Sequence, residues 1–188
     1  MTYGTVAAGK VAVIDGHTNT VVATTAVGAD AAGVAVNPQT NTAYVANILD
    51  DTVSVISGRT NTVVATVAVG PAPFGVAVNP RTNTVYATSG NGMLSVISGR
   101  TNTVTATVPV GQLPHGIAVN PASSTVYAVN EGIGTGTLSV INGRTSTVTA
   151  TITVGKDPVA VAAYPKTHTA YVADNGDGTV TVLGPCPG

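Results

Sequence analysis

The 188-residue sequence has no tryptophan, one phenylalanine, one cysteine and few charged residues, which make up 8% of the chain. A single cysteine, Cys186, excludes an internal disulfide. The seven basic residues are scattered and the net charge is −1, which excludes the polybasic surface typical of nucleic-acid and membrane binding. No apolar run approaches the roughly 20 residues of a membrane-spanning helix, and the N-terminus lacks a signal-peptide pattern. The residues available to form a core are therefore mainly aliphatic.

One tyrosine recurs in each of five similar segments, at Tyr3, Tyr44, Tyr86, Tyr127 and Tyr171, with spacings of 41, 42, 41 and 44 residues. A period of this length is typical of propeller blades. The repeat divides a single predicted domain, 1–188, into a truncated unit, three complete units and a final partial unit. The boundaries of these units are 1–28, 29–70, 71–111, 112–155 and 156–188.

Each complete unit contains four short runs rich in Val, Ile, Thr and Tyr, the residues that favour strands. In the third unit, the predicted strands A to D are Gly75–Asn79, Thr84–Thr88, Leu94–Ile97 and Thr103–Val110. Asparagine and proline predict a tight A-to-B hairpin, and glycine is expected to supply the permissive residue of the C-to-D hairpin. The first unit lacks strand A and the last lacks strand D, so the sequence predicts 18 strands and no helix.

The motif AVNPxTNTxY followed by TVSVISGRTNTVVATVxVG resembles the YVTN repeat of bacterial and archaeal surface-layer-like and secreted proteins. The tetrapeptide itself varies, reading YVAN at Tyr44 and YATS at Tyr86. The resemblance implies an all-β propeller of four-stranded blades, here three complete and two partial ones, in an extracellular or cell-surface protein. Rings of this family usually close with about seven blades. We therefore expect an incomplete ring whose terminal blades self-associate, and keep a closed five-bladed monomer as the alternative.

No catalytic residue, metal site or cofactor is predicted. The histidines His17 and His168 fall in hairpin turns on one face of the disc, whereas His115 opens a strand on the other, so they cannot share a metal. The segment 174–178 (DNGDG) lacks the register of a calcium loop and is interpreted as a turn. The sequence favours a non-enzymatic binding or cell-surface interaction module. The alternative is a propeller lyase or hydrolase with His115 and two aspartates at the channel mouth.

Two surfaces are candidates for binding. Where the D-to-A loops meet the central channel, equivalence of position predicts a ligand-binding mouth that contains Asp30, Phe74, His115 and Asp157. That face carries most of the acidic residues, including Asp174, whereas the hairpin face carries the predicted anion-facing residues Arg59, Arg100 and Arg144. Repeat copying and a selected binding surface both account for this asymmetry. The resemblance to surface proteins implies a cell-surface polymer or a protein as the ligand. Single-stranded nucleic acid is disfavoured, because basic and aromatic residues are scarce.

Overall fold

The computed structural model describes residues 8–132 and 134–184, which form five antiparallel sheets. Sheet I contains β1 (Ala8–Asp15) and β2 (Thr20–Ala29). Sheet II contains β3 (Ala31–Asn37), β4 (Thr42–Asn47), β5 (Thr52–Ser57) and β6 (Thr62–Ala68). Sheet III contains β7 (Pro73–Asn79), β8 (Thr84–Ser89), β9 (Met93–Ser98) and β10 (Thr103–Pro109). Sheet IV contains β11 (Pro114–Asn120), β12 (Thr125–Asn130), β13 (Thr137–Asn142) and β14 (Thr147–Thr153), and sheet V contains β15 (Pro158–Tyr164), β16 (Thr169–Asp174) and β17 (Thr179–Leu183).

Within every sheet, consecutive strands are neighbours, so each sheet is a meander. This arrangement confirms the predicted all-β repeat of four-stranded antiparallel sheets and is consistent with a propeller-like repeat. The described residues contain 17 strands. The remaining predicted strand, strand B of the first unit around Tyr3, lies outside them. One expectation was wrong, because a short 3₁₀ helix at Ile48–Asp50 forms the connection from β4 to β5.

The hairpin turns of sheets I to III use asparagine as the left-handed residue, with φ of 53° at Asn83 and 54° at Asn102, whereas sheets IV and V have serine or histidine there. The prediction that glycine fills this role in the C-to-D turn was wrong, because Gly99 is not among the residues with positive φ. Gly99 is instead required for space, since a Cβ there would lie 2.8 Å from the hydroxyl of Tyr44 and closer still to the Asn83 side chain. The equivalent Gly16 in sheet I has open space around it.

The core lies between the sheets, where one face of each of sheets I to IV is covered by the next sheet along the chain. Tyr44, Val53 and Val55 of sheet II share a buried cluster with Val85 and Ile97 of sheet III. The same contact recurs between later sheets, in the pairs Tyr86 with Ile141 and Tyr127 with Leu183. Burial desolvates the phenols of Tyr44, Tyr86 and Tyr127 and raises their pKa.

The first strands of successive sheets approach closely at glycine. A Cβ added to Gly33, Gly75 or Gly116 would collide with a backbone carbonyl oxygen of the next sheet's first strand, at Phe74, His115 and Val159 respectively. Glycine removes that obstacle, so backbones can pass at a distance that no other residue allows. The fourth equivalent position is occupied by Ala160, which lies exposed in sheet V. This close approach places the loops at the starts of β7 and β11 side by side.

Candidate functional site

Phe74 and His115 form a stacked aromatic pair at one edge of the sheets. They occupy equivalent positions in β7 and β11, each directly before one of the glycines at which the strands approach. Their ring centroids lie 4.8 Å apart with an interplanar angle of 17°. Phe74 remains 43% exposed, so one side of the pair faces solvent. Phe74 and His115, both assigned to the predicted mouth, therefore lie together, and their role in ligand binding stays a prediction.

The carboxylate of Glu131 lies beside this aromatic pair. Its Oε2 lies 3.4 Å from Nε2 of His115, and both side chains are about one-third exposed. Glu131 follows β12, and its N–H donates to the carbonyl of Leu113 at 3.2 Å, which fixes the loop beside the start of β11. At this exposure, an ion pair with protonated His115 contributes at most about 1 kcal/mol. The site therefore combines an apolar ring surface with a solvent-accessible carboxylate.

The backbone beneath the pair is held by Thr88, which is fully buried at the end of the second strand of sheet III. Its hydroxyl accepts the N–H of Gly75 at 2.8 Å and donates to the carbonyl of His115 at 3.1 Å. One side chain therefore joins the first strands of sheets III and IV. The equivalent residues of the other described sheets are alanine or valine. Thr88 is thus a polar residue at a repeat position that is otherwise apolar. This difference is visible in the sequence, but the sequence analysis did not identify Thr88 as part of the site.

Asp30 and Asp157 occupy the left-handed positions of the D-to-A turns, with φ of 53° and 47°. The equivalent residues of sheets III and IV are Ala72 and Leu113, which are also left-handed. Both aspartates are exposed on the same edge as the aromatic pair. Within the described part of the chain, however, no hydrogen bond or ion pair joins either aspartate to His115. The structure thus brings together two of the four predicted mouth residues, and the His–Asp–Asp constellation of the enzymatic alternative does not form there.

Several carboxylates on this edge hold loops together. Asp50 accepts the N–H of Ala29 at 2.8 Å, and Asp51 accepts that of Ala72 at 2.9 Å. Asp177 accepts the N–H of Lys156 at 2.8 Å. Each bond joins a B-to-C connection to a D-to-A connection, so the acidic composition of this edge is partly structural.

Asp174 does not lie on the acidic surface, and its predicted placement there was wrong. It is buried at the end of β16, where its Oδ2 accepts the hydroxyl of Thr181 at 2.6 Å. The equivalent Asn47 and Asn130 are also fully buried and bond hydroxyl groups of the next strand. The last residue of the B strand is therefore a buried polar position in each of these sheets, and its side chain bonds the C strand.

Arg59, Arg100 and Arg144 are exposed in the C-to-D turns of sheets II, III and IV, on the opposite edge. Hydrogen bonds from backbone N–H groups to side chains stabilise the turns, as where the N–H of Arg144 donates to Oδ1 of Asn142 at 2.9 Å. Their role in anion binding stays a prediction. Among residues 8–132 and 134–184, no three His, Cys, Asp or Glu side chains are grouped as metal ligands. The same residues contain no helix of the length and apolarity needed to cross a membrane.

An apolar cavity of about 190 Å³ lies away from the mouth, between sheets I and II. Its walls include Val11, Val36, Ile56 and Gly58. Gly58 is the repeat equivalent of Gly99 and Gly143, beside which the hydroxyls of Tyr44 and Tyr86 lie. The cavity therefore lies at the repeat position of these glycines. Its lining is that of a packing site and lacks convergent polar groups.

No family model matches the chain, and no curated protein matches it in sequence. Its fold is similar to that of a chain in the solved structure of Kuenenia stuttgartiensis hydrazine synthase, with a TM-score of 0.78 and 18% sequence identity. The match covers 91% of this chain and 58% of that chain, so the protein spans less than two thirds of its structural neighbour. At this identity, the comparison supports the repeated β fold and nothing about activity.

Proposed function

We propose that the protein is a non-enzymatic binding module, built on a YVTN-type β-propeller repeat with three complete and two partial blades, that acts at the cell surface. Its ligand is a cationic group of a partner protein or surface polymer, bound at the mouth formed by Phe74, His115 and Glu131. The observation that carries this proposal is the exposed aromatic stack beside an accessible carboxylate. The resemblance of the repeat to surface proteins supplies the location.

The chemistry of the mouth favours an ammonium or guanidinium group. A cation over an exposed aromatic face gains about 0.5–1 kcal/mol, and an exposed carboxylate adds about 0.2–1 kcal/mol. Asp30 and Asp157 extend the negative potential along the same edge. Each contribution is small, so one such contact gives weak and salt-sensitive binding. A partner with several basic groups would gain from repeated contacts along this edge.

We expect a pentalysine peptide to bind at the mouth in low-salt buffer and to shift the NMR signals of the His115 and Phe74 rings. Replacing Phe74 with Ala and Glu131 with Gln should weaken this binding roughly threefold to thirtyfold, since the two contributions sum to about 0.7–2 kcal/mol. The dissociation constants are measured by titration of the two proteins under identical conditions. Unperturbed ring signals, or equal constants for the two proteins, would contradict the proposal.

A second variant on the opposite edge serves as the control. Replacing Arg59, Arg100 and Arg144 with Gln should leave pentalysine binding unchanged near 0.15 M salt, because the strands separate the two edges by more than the screening length of about 8 Å. The same variant should be retained less strongly on a heparin resin at low salt. The mouth variant should be retained like the wild type. This reciprocal pattern assigns cation and anion binding to different edges.

A further inference from the structure

Sheet V presents an apolar face that is buried in every equivalent sheet. Tyr171, Val180 and Val182 are between 43% and 60% exposed. Their equivalents in sheet II, Tyr44, Val53 and Val55, are at most 1% exposed because sheet III covers them. The same three positions of the repeat thus carry the same type of side chain. The difference between them is the presence of a covering sheet.

Sheet I presents the complementary face. Ile14 is 62% exposed, whereas its equivalents Ile56, Ile97 and Ile141 are at most 3% exposed. In the later sheets, this isoleucine packs in the same cluster as the tyrosine of the preceding sheet, as Ile97 does with Tyr44. Gly16 is likewise open, whereas a Cβ on the equivalent Gly99 or Gly143 would meet a tyrosine hydroxyl. Within the described part of the chain, Ile14 therefore has no tyrosine packed on it, and Tyr171 has no isoleucine packed on it.

We propose that the protein self-associates head to tail, with the exposed face of sheet V of one copy packed against the exposed face of sheet I of a second copy. Tyr171 then lies beside Ile14 of the second copy, with its hydroxyl over that copy's Gly16. The interface repeats the tyrosine–isoleucine contact that already joins the sheets within the chain, so its geometry is an extension of an established interface. This association is independent of the ligand mouth.

Ala160 indicates why the partner is sheet I of a second copy. A complete four-stranded sheet packed on sheet V would bring its first strand against position 160, where the earlier sheets all have glycine because the backbones approach so closely. The Cβ of Ala160 obstructs such a strand. Sheet I, as described, contains only β1 and β2, which correspond to strands C and D, and brings no first strand to that position. The described strands of sheet I can therefore pack on sheet V without meeting this obstruction.

The two faces differ, so the interface is heterologous. An interface of this kind produces a closed ring or an open filament, according to the rotation between copies. Growth beyond a dimer is consequently expected at high concentration.

Sedimentation velocity of the 188-residue protein, with a reductant present to prevent cross-linking through the single cysteine, tests this proposal. We expect the mean mass to rise with concentration. Ile14→Glu and Val182→Glu should each weaken association by about tenfold or more, because each places a charge in an apolar junction. Val64→Glu is the matched control, since Val64 is 58% exposed on β6 but lies on neither end face, and association should be unchanged. If Val182→Glu does not fold, as judged by circular dichroism, Val180→Glu replaces it.

Mixing the two variants distinguishes head-to-tail association from pairing of like faces. Ile14→Glu keeps an intact sheet V face and Val182→Glu keeps an intact sheet I face, so an equimolar mixture should form a 1:1 dimer and nothing larger. A wild-type protein that stays monomeric at high micromolar concentration would overturn the proposal. So would a mixture that remains monomeric, or single variants that associate as strongly as the wild type.

Discussion

Replacing Tyr86 with Ala should lower the free energy of unfolding by about 3–5 kcal/mol, the usual cost of removing a large buried ring. Tyr86 is 1% exposed, shares a cluster with Ile141 of the next sheet and donates its hydroxyl to the carbonyl of Gly143 at 3.3 Å. The substitution removes the ring and leaves a cavity between sheets III and IV. Urea unfolding, followed by circular dichroism at low protein concentration, gives the value.

Tyr171→Ala is the matched control for this prediction. Tyr171 holds the same position in sheet V but is 43% exposed, so we expect a loss of about 1 kcal/mol or less in the monomer. The two substitutions remove the same atoms from the same repeat position, and they differ in the covering sheet alone. Equal losses would mean that sheet V is covered in the dilute monomer, contrary to the exposed face described above.

Gly75→Ala should destabilise the protein by about 3 kcal/mol or more, at or beyond the upper end of the usual range for overpacking. The added Cβ would overlap the carbonyl oxygen of His115, a backbone atom that cannot rotate away. Relief requires separation of the first strands of sheets III and IV, which also separates Phe74 from His115. The variant, if it folds, should therefore lose pentalysine binding as well as stability.

Ala160→Gly is the control for Gly75→Ala, because it places glycine at the same repeat position in sheet V. Position 160 is exposed, so the change relieves no overlap and should cost about 0.5–1 kcal/mol through the greater backbone entropy of glycine in a strand. Urea unfolding of both variants measures the two effects. A Gly75→Ala protein as stable as the wild type would show that the strands do not approach as closely as described.

Much of the fold followed from the repeat itself. Strand positions were predictable because each strand is short, β-branched and bounded by asparagine, proline or glycine, and the strands at 84–89 and 93–98 match the predictions within one residue at each end. The spatial requirement for glycine was harder to predict from the sequence. Gly99 and Gly75 look like turn or strand-breaking residues in sequence. In the structure, Gly99 leaves space for the Asn83 side chain and the hydroxyl of Tyr44, and Gly75 leaves space for the carbonyl of His115.

The candidate site was partly predictable for a related reason. Alignment of the repeats placed Phe74 and His115 at equivalent positions of neighbouring sheets, and this equivalence assigned both residues to the predicted mouth. Glu131 lies in a connection of variable length, where the repeat gives no register. Its contact with His115 was therefore not predictable from the sequence. Asp174 was misplaced because a polar residue at the end of a strand was assigned to the loop surface. The equivalent residues Asn47 and Asn130, which are polar but uncharged, indicate that this repeat position is internal.

The central claim is that each sheet is stabilised by the sheets that cover it, and that one face of sheet I and one face of sheet V are uncovered. Hydrogen exchange of the dilute monomer tests this claim most directly, because protection reports local opening. The three C strands β1, β9 and β17 provide the comparison, since they hold the same repeat position at the start, middle and end of the chain. We predict that β9, in sheet III, exchanges near the rate of global unfolding, whereas β1 and β17 exchange through much less costly local opening. Protection of β1 and β17 equal to that of β9 would contradict the claim.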